Sequence, residues 1–160
     1  MRILQLAGYF YPEQAASIYL EENRYQAFAD NDFQTIVYTA TPTRGITEAQ
    51  YNEFKGRKHE YMYDGKLEVF RFPMFREGKN PILRALRYSL ISFIQFYKGI
   101  TAKDIDLIYV ASTPPTQGAL AALVKKVKKV PFVYNLQDIF PDSLAGTGLA
   151  KKGGILWKIG

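Results

Sequence analysis

Asp138 is the residue of this chain best placed for acid–base chemistry. It follows the run Val130 to Leu136, which reads as a buried strand, and lies in the turn Gln137-Asp138-Ile139-Phe140-Pro141-Asp142-Ser143. In an open α/β sheet, ligands bind outside the carboxyl ends of the strands. A carboxylate placed there by the sheet can orient or deprotonate a hydroxyl nucleophile. The same residue type also caps turns, and both readings of Asp138 stand; Asp142 and Ser143 read as caps.

Two more loops belong to the same edge. In Gly8-Tyr9-Phe10-Tyr11-Pro12-Glu13, Gly8 and the helix start near Gln14 could offer free N–H groups to an anion, or form a structural turn. Glu13 could accept a hydrogen bond from a sugar hydroxyl, or stand as an exposed carboxylate at a helix N-terminus. In Ser112-Thr113-Pro114-Pro115-Thr116-Gln117-Gly118, Gly118 lets a ligand or backbone come close, and the prolines equally suit a rigid helix entry.

Several chemistries are excluded. With no cysteine there is no disulfide framework, thiolate nucleophile or Cys zinc site, and a single His59 excludes a site needing two imidazoles. His59 reads as a surface residue of a loop. The first loop lacks G-x-G-x-x-G and the second strand ends in Tyr38-Thr39 without an acid, so tightly bound NAD is not expected; there is no P-loop. The net charge of +6 favours anionic partners. Arg84, Arg87, Tyr88, Ile91, Gln95 and Lys98 fall on one stripe of a long apolar helix, and Lys125, Lys126, Lys128 and Lys129 crowd the end of the next. These are either solvated faces or a contact with acidic lipid headgroups. No nucleic-acid recognition pattern is present.

The elements that must position these groups follow from periodicity. Arg2 to Ala7 reads as a first strand, Gln14 to Ala29 as a helix with Ala16, Leu20 and Ala27 on its apolar side, and Phe33 to Thr39 as a second strand. Asn31 is a candidate left-handed cap. Strand, helix, strand in this order predicts a parallel sheet with right-handed crossovers. A long polar connection covers Ala40 to Glu60; Asp64-Gly65 signals a hairpin between Tyr61–Tyr63 and Leu67–Phe72, the latter able to join the parallel sheet instead. Asn80-Pro81 opens a helix to about Lys98, Asp106 to Ala111 is a strand, and Pro115 to Lys129 is a helix with Leu120, Leu123, Val124 and Val127 inward. No signal peptide is visible and no run reaches the roughly 18 apolar residues of a membrane span, so a cytoplasmic location is expected. Lys151 to Gly160 reads as the start of a further helix, which suggests a larger protein.

The ordered set Ile3-Leu4-Gln5-Leu6, Tyr9-Phe10-Tyr11-Pro12-Glu13, Thr39 with Pro42 and Gly45, Asp106-Leu107-Ile108, Ser112-Thr113-Pro114-Pro115 and Gln137-Asp138-Ile139-Phe140-Pro141-Asp142-Ser143 resembles the N-terminal half of family-four retaining glycosyltransferases, in the bacterial surface-polysaccharide branch. The resemblance spans almost the whole chain. It implies a Rossmann-like three-layer α/β/α sandwich with a mainly parallel sheet, one half of a GT-B fold, that holds the acceptor. A C-terminal donor domain, absent from this chain, would bind the nucleotide-diphosphate sugar. The resemblance puts Asp138 where acceptor hydroxyl and donor sugar meet, and Gly8, Tyr9, Glu13, Thr113, Gln117, Gly118 and Asn135 in loops facing acceptor or donor phosphates. It implies no cofactor or catalytic metal, and a glycan or polyprenyl-diphosphate-linked acceptor met at the cytoplasmic face of the membrane. Arg84, Arg87, Lys98, Lys125 and Lys126 would make the membrane or anion contact. Three departures mark the chain: Ala15-Ala16-Ser17 stands where relatives have glycines, Asp32-Phe33 stands where many have Gly-His before the second strand, and Asp138 stands where other branches place a histidine. The rival expectation is a non-catalytic α/β module that binds an anionic partner or a nucleotide.

Overall fold

Two-residue alternation along the strands sorts the core into two layers. The computed structural model describes residues 1–14, 18–78, 80–114 and 116–137. Within them the order is β1 (Arg2–Leu6), α1 (Ile18–Asp30), β2 (Gln34–Ala40), α2 (Glu48–Phe54), β3 (His59–Met62), β4 (Leu67–Phe72), α3 (Pro81–Thr101), β5 (Leu107–Ala111), α4 (Thr116–Lys128) and β6 (Phe132–Asn135). The sheet runs β3-β4-β2-β1-β5-β6. Its β1, β2, β4, β5 and β6 are parallel, and β3 joins β4 antiparallel. Leu4, Leu6, Ile36, Ile108 and Val110 face Leu120, Ala121 and Val124 of α4, with Phe96 and Ile100 of α3 packed on the same cluster. Val37, Leu67 and Val69 face the other way, against Phe10 of the loop after β1 and Tyr25 of α1. The result is the expected Rossmann-like three-layer α/β/α sandwich. Among the described residues no helix is long and apolar enough to cross a membrane.

The local signals explain most boundaries. Asn80 caps α3 by accepting from the N–H groups of Ile82 and Leu83, as Asn-Pro predicted. Asp64-Gly65 turns the β3–β4 hairpin, while β4 also joins β2, so both readings of Leu67–Phe72 hold. His59 lies in β3 instead of a loop and stacks on Phe70. The long polar connection contains α2, opened by a capping box between Thr47 and Gln50. Helix α3 runs past Gly99 to Thr101, and that glycine lets Val124 of α4 approach: a Cβ there would lie 3.0 Å from a Val124 methyl. Asp32, not Asn31, takes the left-handed conformation after α1, with φ 61°. Strand β6 was expected to be buried but lies at the sheet edge, with Val133 and Tyr134 exposed. The segment Asp138–Gly160, including the expected final helix, lies outside the described residues.

The helices present unexpected faces. In α1 the inward residues include Glu21 and Tyr25, while Leu20 is exposed. In α3 the inversion is larger. Arg87, Ile91 and Gln95, at i, i+4 and i+8, are buried at 2%, 1% and 0% exposure. Ile82, Leu86, Leu90, Phe93 and Tyr97 form an outward stripe, with Ile82 and Phe93 more than 70% exposed. On the neighbouring α4, Leu123 and Val127 are also outward, which corrects their assignment to the core.

The buried amides of α3 are explained by what they meet. Gln95 Nε2 donates to the carbonyls of Ala7 (2.8 Å) and Tyr38 (3.0 Å), and Gln117 Nε2 donates to Gln95 Oε1 (3.0 Å). A side-chain amide from the helix layer thus satisfies carbonyls at the ends of β1 and β2. Gln95→Met keeps the length and removes the donors. It should lower the unfolding free energy by about 2–4 kcal/mol, since the Ala7 carbonyl loses its donor and the Gln117 amide its acceptor, while Tyr38 keeps the Ala7 N–H, measured as a shift in the urea midpoint.

Candidate functional site at the carboxyl edge of the sheet

The chain runs outward from β1 through β2 to β4, then returns to β5 and β6 on the other side of β1, so the topological switch lies between β1 and β5. The loops after these strands touch across it. A Cβ on Gly8 would sit 2.2 Å from Pro114 Cδ and 3.0 Å from the Thr113 carbonyl oxygen. Gly8 therefore makes room for the Pro114 ring and the Thr113 carbonyl, a packing role for its missing side chain. Beyond that contact, Ser112 N–H donates to the Asn135 carbonyl (3.0 Å) and Ser112 Oγ accepts from Gln137 N–H (2.9 Å). The turn leaving β6 is thereby pinned to the end of β5. Asp138, the next residue, lies outside the described residues, as do Asp142 and Ser143.

Gln117 is fully buried in the amide pair with Gln95, so it contributes to the scaffold and does not face a ligand. Gly118 accommodates the Tyr134 ring, whose Cζ would lie 3.1 Å from an added Cβ. Its smallness serves side-chain packing and not ligand approach.

Glu13 is corrected most strongly. It is 3% exposed, where an exposed helix-terminal carboxylate or a hydroxyl acceptor was expected. Oε1 accepts from the N–H groups of Thr43 (2.9 Å) and Arg44 (3.1 Å), and Oε2 accepts from Phe10 N–H (3.3 Å). Burial raises its pKa above the ordinary 4.5, and these N–H groups, with Arg87 nearby, offset only part of that. Glu13 is a clasp joining the loop after β1 to the loop after β2.

Arg87 is likewise not a surface contact. Its guanidinium donates to the carbonyls of Phe75 (2.8 Å) and Thr41 (3.2 Å) and pairs with Glu77 at 3.2 Å. The reason is its place on the inward stripe of α3, opposite chain ends that need donors. Lys98, Lys125 and Lys126 are exposed but fall at the C-terminal ends of α3 and α4, the opposite end of these helices from Arg84. Lys125 covers the Phe132 ring with its Nζ 5.3 Å from the centroid. The predicted basic surface is thus divided between two ends of the molecule.

What the edge does offer is a cleft of about 390 Å³ lined by Thr43, Arg44, Gly45, Arg76, Glu77, Gly78, Arg84 and Tyr88. Arg44 donates to Tyr9 Oη at 2.9 Å, and Tyr9 Oη is bonded to Tyr88 Oη. Burial, reinforced by the bond to Tyr9, raises the Tyr88 pKa well above the ordinary tyrosine value, so its hydroxyl stays neutral. Arg76 pairs with Glu48 at 2.5 Å. Among the described residues no carboxylate lies within ion-pair distance of Arg44 or Arg84. Of the expected site residues, the cleft gathers Arg84, with Tyr9 behind it. Arg44, Arg76 and Tyr88 come from segments that the sequence presents as unrelated loops and a helix stripe. Arg44 and Arg76 share a signal: each is a basic residue close to a glycine in a connection leaving the carboxyl end of a strand.

No family model and no curated protein matches the chain. Among solved structures, it is similar to the C-terminal domain (residues 83–215) of a hydrogenase from Pyrococcus furiosus, with a TM-score of 0.50 and 17% identity over 84% of this chain and 90% of that one. At that identity the likeness concerns the fold: the chain is a Rossmann-like α/β/α domain.

The clasp makes a measurable claim. Glu13→Ala leaves N–H groups of two loops without acceptors and should cost about 2–4 kcal/mol of unfolding free energy. Because the folded pKa of Glu13 is raised, its stabilising contribution is full below the ordinary 4.5 and declines as pH rises through the folded value. The stability gap between wild type and Glu13→Gln should therefore narrow as pH rises from 4.5, measured by urea unfolding across that range.

Proposed function

We propose that this chain is the acceptor-binding domain of a retaining glycosyltransferase. The enzyme would transfer a sugar from a nucleotide-diphosphate sugar to a lipid-linked glycan acceptor in surface-polysaccharide biosynthesis, at the cytoplasmic face of the membrane. The observation that carries this reading is the anchoring of Gln137 on Ser112, which ties the segment leading into Asp138 to the carboxyl end of β5 beside the topological switch. The motif set Tyr9–Glu13, Ser112–Pro115 and Gln137–Ser143 is compatible with this placement, since its first two members leave β1 and β5 at that edge. In this reading Asp138 orients or deprotonates the acceptor hydroxyl. The donor is supplied by a second domain that faces the same edge.

The outward apolar stripe of α3 supports work at a membrane surface. A helix that turns Ile82, Leu86, Leu90, Phe93 and Tyr97 away from its own core can lie in the interface of a bilayer. The rival reading, a non-catalytic module for an anionic partner, draws on the arginines of the cleft. Sugar transfer separates the two.

In the protein carrying both domains, Asp138→Asn should reduce sugar transfer to a lipid-linked acceptor by roughly 10²–10⁴-fold, the usual loss for a general base, while circular dichroism and acceptor binding stay unchanged. Near-normal turnover would reduce Asp138 to a turn cap. On the 160-residue chain, Phe93→Asp should weaken flotation with vesicles containing anionic phosphatidylglycerol about tenfold or more, since burial of an aromatic side chain is replaced by burial of a charge. Its melting temperature should hold, because Phe93 is 72% exposed.

A further inference from the structure

We infer that the small cavity between α1 and the β3–β4 hairpin is a binding site for an alkylammonium group, the cationic end of an organic amine. It lies on the α1 side of the sheet, opposite α3 and α4 and away from the basic cleft. It stands independently of the proposed function.

The lining joins an aromatic wall to carboxylates. The ring centroids of Phe10 and Tyr25 lie 5.7 Å apart, and those of Tyr25 and Tyr63 6.5 Å apart. Tyr63 Oη donates to the Glu22 carbonyl at 3.4 Å and so ties the hairpin to α1. Met62 adds to the apolar side, and Glu21 and Glu22 supply the polar one. Among the described residues no lysine or arginine lines the cavity.

Glu21 is the observation that points to a ligand. It is 7% exposed. Its Oε1 faces Arg24 Nη2 at 3.7 Å, while Oε2 is buried without a hydrogen-bond partner, as is the Tyr25 hydroxyl. A buried carboxylate oxygen that lacks a donor is costly. Burial pushes the Glu21 pKa above the ordinary 4.5, and Arg24 and Tyr25 offset only part of that. Arg24 is already committed, donating to Tyr109 Oη (3.0 Å) and Gln5 Oε1 (3.3 Å). Among the described residues Glu22 has no ion-pair partner, so the site keeps a surplus carboxylate.

An ammonium N–H would give Oε2 its missing hydrogen bond, and the positive charge is also attracted by ring faces. These rings already hold cations: Arg24 lies 5.1 Å from the Tyr25 centroid and Arg71 5.2 Å from that of Phe10. The alkyl stem would pack on Met62 and the rings. A hard metal ion fits poorly, since calcium takes roughly six to eight oxygen ligands and the walls here are mostly apolar. The volume of about 80 Å³ falls well below the roughly 300–1,000 Å³ of pockets for whole small molecules. One amine-bearing chain end fits; a nucleotide does not.

The methionines make the test direct. Met62 lines the cavity, whereas Met74 packs near Phe72 and Ile91. In the 160-residue chain with isotope-labelled methionine methyls, n-butylammonium should shift the Met62 resonance with a Kd on the order of 1 mM and leave Met74 in place. Butan-1-ol, the neutral isostere, should bind about tenfold more weakly, for want of a charge-assisted hydrogen bond. Glu21→Gln keeps the size and removes the charge. It should weaken butylammonium about tenfold and hold the wild-type melting temperature, because the carboxylate is only partly compensated. Nα-acetyl-lysine methylamide carries the same group on a peptide. Tighter binding of it than of butylammonium assigns the site to a protein side chain, weaker binding to a free amine, and both uphold the site. A Met62 resonance that stays fixed in about 20 mM butylammonium, or that butan-1-ol moves equally, overturns the inference. So does a folded Glu21→Gln protein with wild-type affinity. Should Glu21→Gln not fold, the contrast between butylammonium and butan-1-ol in the wild type decides.

Discussion

A buried carboxylate organises the functional edge of this domain. Taking Glu13 out of water is costly unless its oxygens are met by donors. The donors are the backbone N–H groups of Phe10, Thr43 and Arg44, which belong to the loops after β1 and β2. Satisfying one charge therefore fixes two loops against each other, and Gln14 N–H adds a bond to the Arg44 carbonyl. The order then passes outward: Thr43 to Glu77, Glu77 to Arg87, and Arg87 to the carbonyls of Thr41 and Phe75. Loops leaving β1, β2 and β4 and the first turns of α3 become one polar frame whose own charges are internally matched.

That frame explains why the cleft is basic. Inside it, Glu13 is met by backbone donors and Glu77 by Arg87, so the acidic groups nearest the cleft are already occupied. The arginines that project beyond it, Arg44 and Arg84, are not. A positive potential survives only where cations lack nearby counter-charges, and local pairing decides that more than net composition does. The same reasoning separates Arg84 from Arg87, three residues apart on one helix: one answers the free carbonyls of strand ends, the other lies a turn beyond them.

The sheet was legible because its evidence is local. Alternation in Leu4–Leu6, Thr35–Thr39 and Leu67–Val69, the Asn80 cap and the Asp64-Gly65 turn all act within a few residues. The helix faces were not legible in the same way. Periodicity assigns the inward side to apolar residues, and α3 breaks that rule because its inward side must supply N–H donors to carbonyls at the ends of parallel strands. Nothing near Gln95 in the sequence says that Ala7 and Tyr38 will present their carbonyls to it. Edge position was equally hidden: Phe132–Asn135 is as apolar as a central strand. The cleft could be read only in part, since Arg44, Arg76 and Arg84 stand in segments brought together by sheet order.

The inverted polarity of α3 also bears on what the domain meets. A helix with an apolar stripe normally spends it on the core. Here Arg87 and Gln95 occupy inward positions, so Ile82, Leu86, Leu90, Phe93 and Tyr97 are left facing out, with Leu123 and Val127 of α4 exposed on the neighbouring helix. An outward apolar surface of this kind costs solubility and gains nothing inside the fold, so its use must be sought outside the core. The donors that strand ends require and the apolar surface that remains are two consequences of one choice of helix register. Rotating α3 to bury its apolar stripe would take the Gln95 and Arg87 donors from the Ala7, Thr41 and Phe75 carbonyls, leave Tyr38 with the Ala7 N–H alone, and remove Arg84 from the cleft. Surface and cleft therefore belong to a single arrangement, set by one choice of helix register.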